Sequence, residues 1–421
     1  MRIAVAGLWH LGCVTAACCA RHHQVTGLDF EPENVSRLKQ GKAPLFEPGL
    51  DELIASGLQQ GRLQFSDNPQ TACADADILW LTYDTPVNDK DESDVSFVLE
   101  RLGRCLPHLP HGALVLISSQ VPVGTCARLE AEFTQFHFAY LPENLRLGRA
   151  LDAFEKAERV VIGIRNQEKR RLLEDLFAPF TQKILWMRTE SAEMVKHGIN
   201  SFLALSITFI NELARLCEQT GADATEVSLG LKSDVRIGPR AYLGPGGAFA
   251  GGTLARDVVT LTQLAAEKAE PVFVIPAIKQ SNDQHRDWAF RKLVSRLGSL
   301  NGKTIAILGL TYTPNTDTLR RSLALELSRK LIDAGASVKA YDPAIKQLPL
   351  ELSSIRLGQD VRDVLNAVDA GVVCTEWPEF RRVEWASLVG IMRRALFVDA
   401  NRFLEKELQG QPVEHLSVGR S

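Results

Sequence analysis

Residues 1–12, MRIAVAGLWHLG, decide how the chain is read. "RIAVAGL" (Arg2 to Leu8) is a short apolar run that enters a glycine turn, Gly7 to Gly12. A strand feeding such a turn ahead of a helix predicts the first βα unit of a parallel sheet, where helix N-terminal amides can receive phosphate. The pattern repeats outward in "QVTGLD" (Gln24 to Asp29), "DILWLTY" (Asp77 to Tyr83), "ALVLISS" (Ala113 to Ser119) and "RVVIGIR" (Arg159 to Arg165), with helical stretches between. It restarts with "KTIAILGL" (Lys303 to Leu310), "SVKAYDP" (Ser337 to Pro343), "AGVVCT" (Ala370 to Thr375) and "ALFVDA" (Ala395 to Ala400). Between the two series, Glu190 to about Gly221 reads as one proline-free helix, long enough to connect two domains. The expected fold is α/β: two Rossmann-like doubly wound parallel-sheet domains joined by a central helical segment with one long connecting helix. The expected boundaries are 1–189, 190–298 and 299–421.

The first turn keeps Gly7 and Gly12 of a dinucleotide fingerprint but has Trp9 at the middle glycine, where a side chain obstructs a pyrophosphate. Asp29 ends the next strand, near the distance at which a carboxylate meets the adenosine ribose hydroxyls. Taken alone, this pattern is shared by a dinucleotide site and a plain strand-to-helix turn.

Bulk properties narrow the class. With 421 residues, 45% of them hydrophobic, and a net charge of -3, the chain has room for two or three domains with real cores. A near-neutral balance without basic blocks argues against nucleic acid and membrane surfaces as partners. No apolar run approaches the roughly 20 residues that span a bilayer, and the N-terminus reads as a buried strand, so a cytoplasmic location is expected. The eight cysteines lack the paired spacing of zinc or redox motifs. They are expected to be mostly buried small hydrophobes, with neither disulfides nor metal.

Seven segments extend the reading: "GLDFEPENVSRLKQGKAPLFEPGLDEL", "DTPVNDKDESDVSFV", "SSQVPVGT", "LPENLRLG", "EMVKHGINSFLALSITFINELA", "GPGGAFAGGTLARD" and "LGLTYTPNTDTLRRS". In order and spacing they resemble the UDP-glucose/GDP-mannose dehydrogenase family. The resemblance implies an N-terminal NAD-binding domain, a central helical dimerisation segment and a C-terminal domain holding the nucleotide of a sugar nucleotide. It implies oxidation of a sugar C6 alcohol to a carboxylate in two NAD-dependent steps, with a UDP-hexose as substrate and a homodimer as assembly.

By that resemblance NAD would meet Gly7, Trp9, Leu11, Gly12, Asp29, Thr85, Pro86 and Ser119. Lys196 and Asn200, at i and i+4 on one helix face, would donate to the developing oxyanion. Asp257 would hold or activate a water, and Glu143 would assist proton transfer and hydrolysis. The sugar nucleotide would meet Arg146, Arg236, Phe249, Arg320 and the glycines Gly246, Gly247, Gly251 and Gly252, whose amides could face phosphate or sugar oxygens.

The chain departs from the family at a decisive position. Where the family reads Gly-Gly-Ser-Cys-Phe-Pro-Lys-Asp, with the cysteine attacking the aldehyde, this chain reads "AGGTLARD" and places Thr253 at the nucleophile. A threonine hydroxyl is far less ionised than a thiol and needs a strong adjacent base. Thr313 stands where the family usually has lysine, and Thr318 where it has a second aspartate. Two readings follow. One is a dehydrogenase that stops at the aldehyde or reaches the acid without a thioester; the other is a non-catalytic sugar-nucleotide-binding paralogue.

Overall fold

The computed structural model describes residues 1–88, 90–143, 145 and 147–420, and it divides into two compact units, Met1–Ile199 and Asn200–Ser421. The first unit is built on an eight-stranded sheet in the order β3-β2-β1-β4-β5-β6-β7-β8. Its strands are β1 (Arg2–Ala6), β2 (Gln24–Leu28), β3 (Leu63–Ser66), β4 (Ile78–Leu81), β5 (Leu114–Ile117), β6 (His137–Tyr140), β7 (Val160–Ile164) and β8 (Ile184–Met187). Alternate residues of the central strands feed two cores. Ile3, Val5, Trp80 and Leu116 pack on one face, and Ala4, Ala6, Leu79 and Val115 on the other, which is why these runs are apolar at every position.

The strand order reverses between β1 and β4, so the crevice at their C-terminal ends is where such sheets bind ligands. One pairing departs from the all-parallel expectation: β7 runs antiparallel to β6, with Ala139 opposite Ile164. Among the described residues the helix between them, Ala150–Glu155, is six residues long, too short to carry the chain back along the sheet for a parallel return.

The helix after β1, His10–Ala20, is buried from Gly12 to Ala20. Its Ala, Cys and Gly residues make that possible, because small side chains let it press against the sheet and its neighbours at once. Seven of the eight cysteines are buried, as small hydrophobes would be.

The long helix is Thr189–Thr220, 32 residues, one residue from the expected bounds at each end and about 48 Å long. The second unit continues with the helices Ala224–Ser233, Thr253–Glu267, Val274–Arg286 and Trp288–Leu297. Then comes a wholly parallel six-stranded sheet, β11-β10-β9-β12-β13-β14. Its strands are β9 (Thr304–Leu308), β10 (Ser337–Tyr341), β11 (Ile355–Leu357), β12 (Ala370–Val373), β13 (Leu396–Asp399) and β14 (Glu414–Leu416). Among the described residues no helix is long and apolar enough to cross a membrane.

Candidate active site

In the first unit the chain leaves β1 through Gly7, whose φ of 102° is closed to most side chains. Close approach also excludes a side chain at Gly12, since its Cβ would lie 1.8 Å from the Gly7 carbonyl oxygen. Trp9 sits at φ -86° in ordinary extended backbone, and its side chain is about half exposed. The position therefore makes no demand for glycine, and the helix still begins at His10 with its first amides beside the turn.

Asp29, at the end of β2, is buried and accepts the Leu8 N–H at 2.7 Å. Asn34 donates to the same carboxylate and to the Leu8 carbonyl, at 3.2 and 2.9 Å. Thr85 donates from its hydroxyl to the Gln120 carbonyl at 2.6 Å, and Pro86 accepts the Asp94 N–H at 2.8 Å. The Ser119 hydroxyl, 1% exposed, has no partner among the described residues. Such a group is normally satisfied in a protein interior. A glycine cradle, a buried carboxylate one strand over and an orphaned hydroxyl together fit a bound dinucleotide. Leu11, half-buried, instead lines a small cavity of about 130 Å³ that also reaches Glu143.

Lys196 is buried on the long helix. It donates to the Glu143 carbonyl and lies 3.8 Å from the Glu143 carboxylate. The same helix holds a second loop through residues that sequence reading did not single out. Glu193, fully buried, accepts the Gly124 and Cys126 N–H groups and so caps the helix Thr125–Glu132. Burial pushes its carboxyl above the usual range. His197 pairs with the Val121 carbonyl at 3.1 Å. A signal for these existed: Glu193, Lys196, His197 and Asn200 fall at i, i+3, i+4 and i+7, a polar stripe on a helix otherwise rich in apolar residues. Glu47 is a further anchor. Its buried carboxylate pairs with His10 at 2.8 Å and accepts the Gly148 and Ala150 N–H groups at 2.7 and 2.8 Å, fixing the end of the loop that carries Glu143. Arg146 lies outside the described residues.

In the second unit Asn200 donates to Asp257, a carboxylate with no exposed surface. Asp257 lies one turn into the helix Thr253–Glu267, of which Thr253, exposed, is the first residue. Before it stands Gly252 at φ 102°, where a Cβ would come within 3.0 Å of the Arg321 guanidinium. Arg320 is exposed, so Arg321 is the arginine that meets this turn. Arg236 has its side chain 87% exposed and paired to Asp234 at 2.7 Å.

The glycine-rich segment is held by side chains. Gly246 N–H donates to Asn211, Gly247 N–H to Asn401 and Phe249 N–H to Asn282, at 3.0, 2.7 and 3.0 Å. The Gly246 and Gly247 amides are thus engaged within the protein where open phosphate donors were expected, and this part of the segment forms a shaped wall. His285 completes the clamp. Arg215 donates to its Nδ1 at 3.1 Å, so Nε2 carries the hydrogen and donates to the Gly246 carbonyl at 2.7 Å. Burial first, with Arg215 adding, draws the imidazole pKa down to about 4.

This wall bounds a cleft of about 780 Å³ that reaches Thr311, Val373 and Ala400 at the C-terminal ends of β9, β12 and β13. Gly246, Gly247 and Phe249 line it; Gly251, Gly252 and Thr253 do not. Cys374 does line it, but burial, with the Asp399 charge adding, pushes its thiol up to about 12, which leaves it without a thiolate to attack with.

Models of the UDP-glucose/GDP-mannose dehydrogenase family match along the chain: the NAD binding domain at residues 1–181, the central domain at 190–284 and the UDP binding domain at 306–406. The UDP-glucose 6-dehydrogenase TuaD of Bacillus subtilis is 33% identical over all of this chain and 93% of its own. The UDP-glucose 6-dehydrogenase of Rhizobium meliloti is 33% identical with both chains fully covered. Among solved structures, a UDP-glucose dehydrogenase from Pyrobaculum islandicum superposes with a TM-score of 0.89 at 30% identity, covering 100% of this chain and 98% of that one. With the cofactor cradle, the Lys196–Glu143 pair and the Asn200–Asp257 pair in place, the chain belongs to the UDP-glucose/GDP-mannose dehydrogenase family and is an NAD-dependent oxidoreductase acting on a CH–OH group.

Proposed function

We propose that the protein oxidises a UDP-hexose at C6 without a covalent enzyme–sugar intermediate. The observation that carries this is Thr253: exposed, first in its helix, and at the position where the resemblance calls for a nucleophilic cysteine. Cys374, which lines the cleft, is held as a neutral thiol, and Cys217 is buried. NAD, when bound, supplies the hydride acceptor. Lys196 and Asn200 supply donors to the oxygen as it gains charge, in a setting that keeps their side chains from bulk water. Glu143, partly exposed and close to Lys196, takes the hydroxyl proton. Asp257, fixed by Asn200, orients a water that can hydrate the aldehyde. Counting NADH per sugar consumed tests the reading: one identifies the aldehyde as product, two the acid reached through the hydrate. None, or a sugar adduct on Thr253 in the mass spectrum, overturns it.

The same reading includes a homodimer. Phe202, Phe209 and Leu216 repeat every seven residues on the long helix and are 66%, 48% and 61% exposed. Three large apolar side chains in one stripe are costly to leave in water. A second copy is the partner that the family resemblance supplies. A monomeric scattering mass at micromolar concentration refutes this.

A further inference from the structure

The cleft of the second unit has an unusual charge inventory. Its lining contains no aspartate or glutamate, and its cations are Lys232 and Arg286, beside the neutral His285. Arg286 is committed: it pairs with the Glu326 carboxylate and lies 3.7 Å from Asp283. Lys232, half-buried in the last turn of the helix Ala224–Ser233, has no ion-pair or hydrogen-bond partner among the described residues. Its ammonium is therefore the uncommitted positive charge of the cleft. Helix carbonyls at a C-terminus favour a cation there without consuming it.

Part of the remaining positive potential of the cleft is already spent. The amides of Gly246, Gly247 and Phe249 go to asparagine side chains, and Thr313, where the resemblance gives a lysine, lines the same cleft. A dianion entering a cleft this size without a compensating charge would meet a desolvation penalty with nothing to offset it.

We infer that Lys232 is the diphosphate-binding residue of this chain, supplying from the helix Ala224–Ser233 the charge that Thr313 does not. This rests on the reading of the cleft as a sugar-nucleotide site. The test is calorimetric titration of the intact protein with UDP and, separately, with uridine. For Lys232→Met, UDP affinity is expected to fall by about tenfold to a hundredfold, the range for a hydrogen bond to a charged group. Uridine affinity should stay within about twofold, and Lys232→Arg should keep most of the UDP affinity, since a guanidinium also binds phosphate. A circular-dichroism melt of each variant identifies any fold defect. A wild-type protein that does not bind UDP removes the reading of the cleft. A wild type that binds UDP, with Lys232→Met matching it, overturns the inference alone.

Discussion

The two glycine turns of the molecule open alike and end differently. In each, a buried strand runs into a glycine with positive φ, Gly7 at 102° and Gly309 at 88°. In each, an aspartate at the end of the neighbouring strand accepts the next residue's N–H at 2.7 Å: Leu8 to Asp29, Leu310 to Asp342. After the first turn a helix starts at His10; after the second none starts until Leu323. The intervening loop and its neighbours fill the second aspartate. Thr311 donates to Asp342 from both its N–H and its hydroxyl, each at 2.9 Å, and the Trp377 indole donates at 3.1 Å. Asp342 has no exposed surface. The same local device thus leads into a helix N-terminus in the first unit and becomes a buried anchor where a long loop closes over it in the second.

That contrast predicts that substitutions at the second turn damage folding and those at the first damage chemistry. The largest effect is expected for Asp342→Ala, which strands five donors, four of them in a dry site, and should lower stability by about 3 to 5 kcal/mol in urea melts. Asp29→Ala should cost at most about half of that. Equal losses would erase the distinction.

For the chemistry, Lys196→Ala should raise the barrier of the first oxidation by about 3 kcal/mol, because it removes a charged donor. Thr253→Ala should stay within about tenfold of wild type, roughly 1.4 kcal/mol. Steady-state rates with matched NAD decide between them, and a larger loss at Thr253 would make it a nucleophile.

Acid should act through His285, which Arg215 and Arg291 crowd and Glu218 partly offsets. Its pKa falls from 6.5 to about 4 on folding, so between those values the unfolded chain holds a proton that the folded one refuses. Stability present above about pH 6.5 is lost as pH falls toward 4, by at most about 3 kcal/mol. His285→Gln can still accept from Arg215 and donate to Gly246, and its melts should show a shallower loss across that window. An unchanged slope would discard the assignment.

A comparably small effect is expected at Asp29→Asn. The carboxylate repels a 2′-phosphate, so the preference for NAD over NADP should shrink by about tenfold. An unaltered ratio of kcat/KM values would remove Asp29 from cofactor selection.

Much of this was legible before any coordinates. β1, β9 and the long helix announce themselves because their apolar periods are long and uninterrupted. β3, β6, β8, β11 and β14 did not: each has only three or four residues, and pairing rather than composition makes them strands. In the candidate site, the positions of Lys196, Asn200 and Asp257 were legible because one helical period or one motif holds them. Glu47 was not, since its partners lie 37 to 103 residues away and no local pattern records such a contact. Arg236 and Arg320 mark the opposite limit only in being exposed. A motif position names a residue type, but only the fold shows whether the side chain faces a cleft or solvent.

The Glu47 anchor also has a consequence for how the chain is made. Residues 148 and 150 leave the ribosome about a hundred residues after Glu47, some 5 to 20 seconds later at ordinary synthesis rates. Until then that carboxylate has His10 as its partner but not the two loop amides, and the loop bearing Glu143 has nothing to fasten to. Proteolysis of stalled nascent chains would accordingly find β1 and its helix protected well before that loop, so the first glycine turn is finished while the candidate catalytic edge of the same domain is still open.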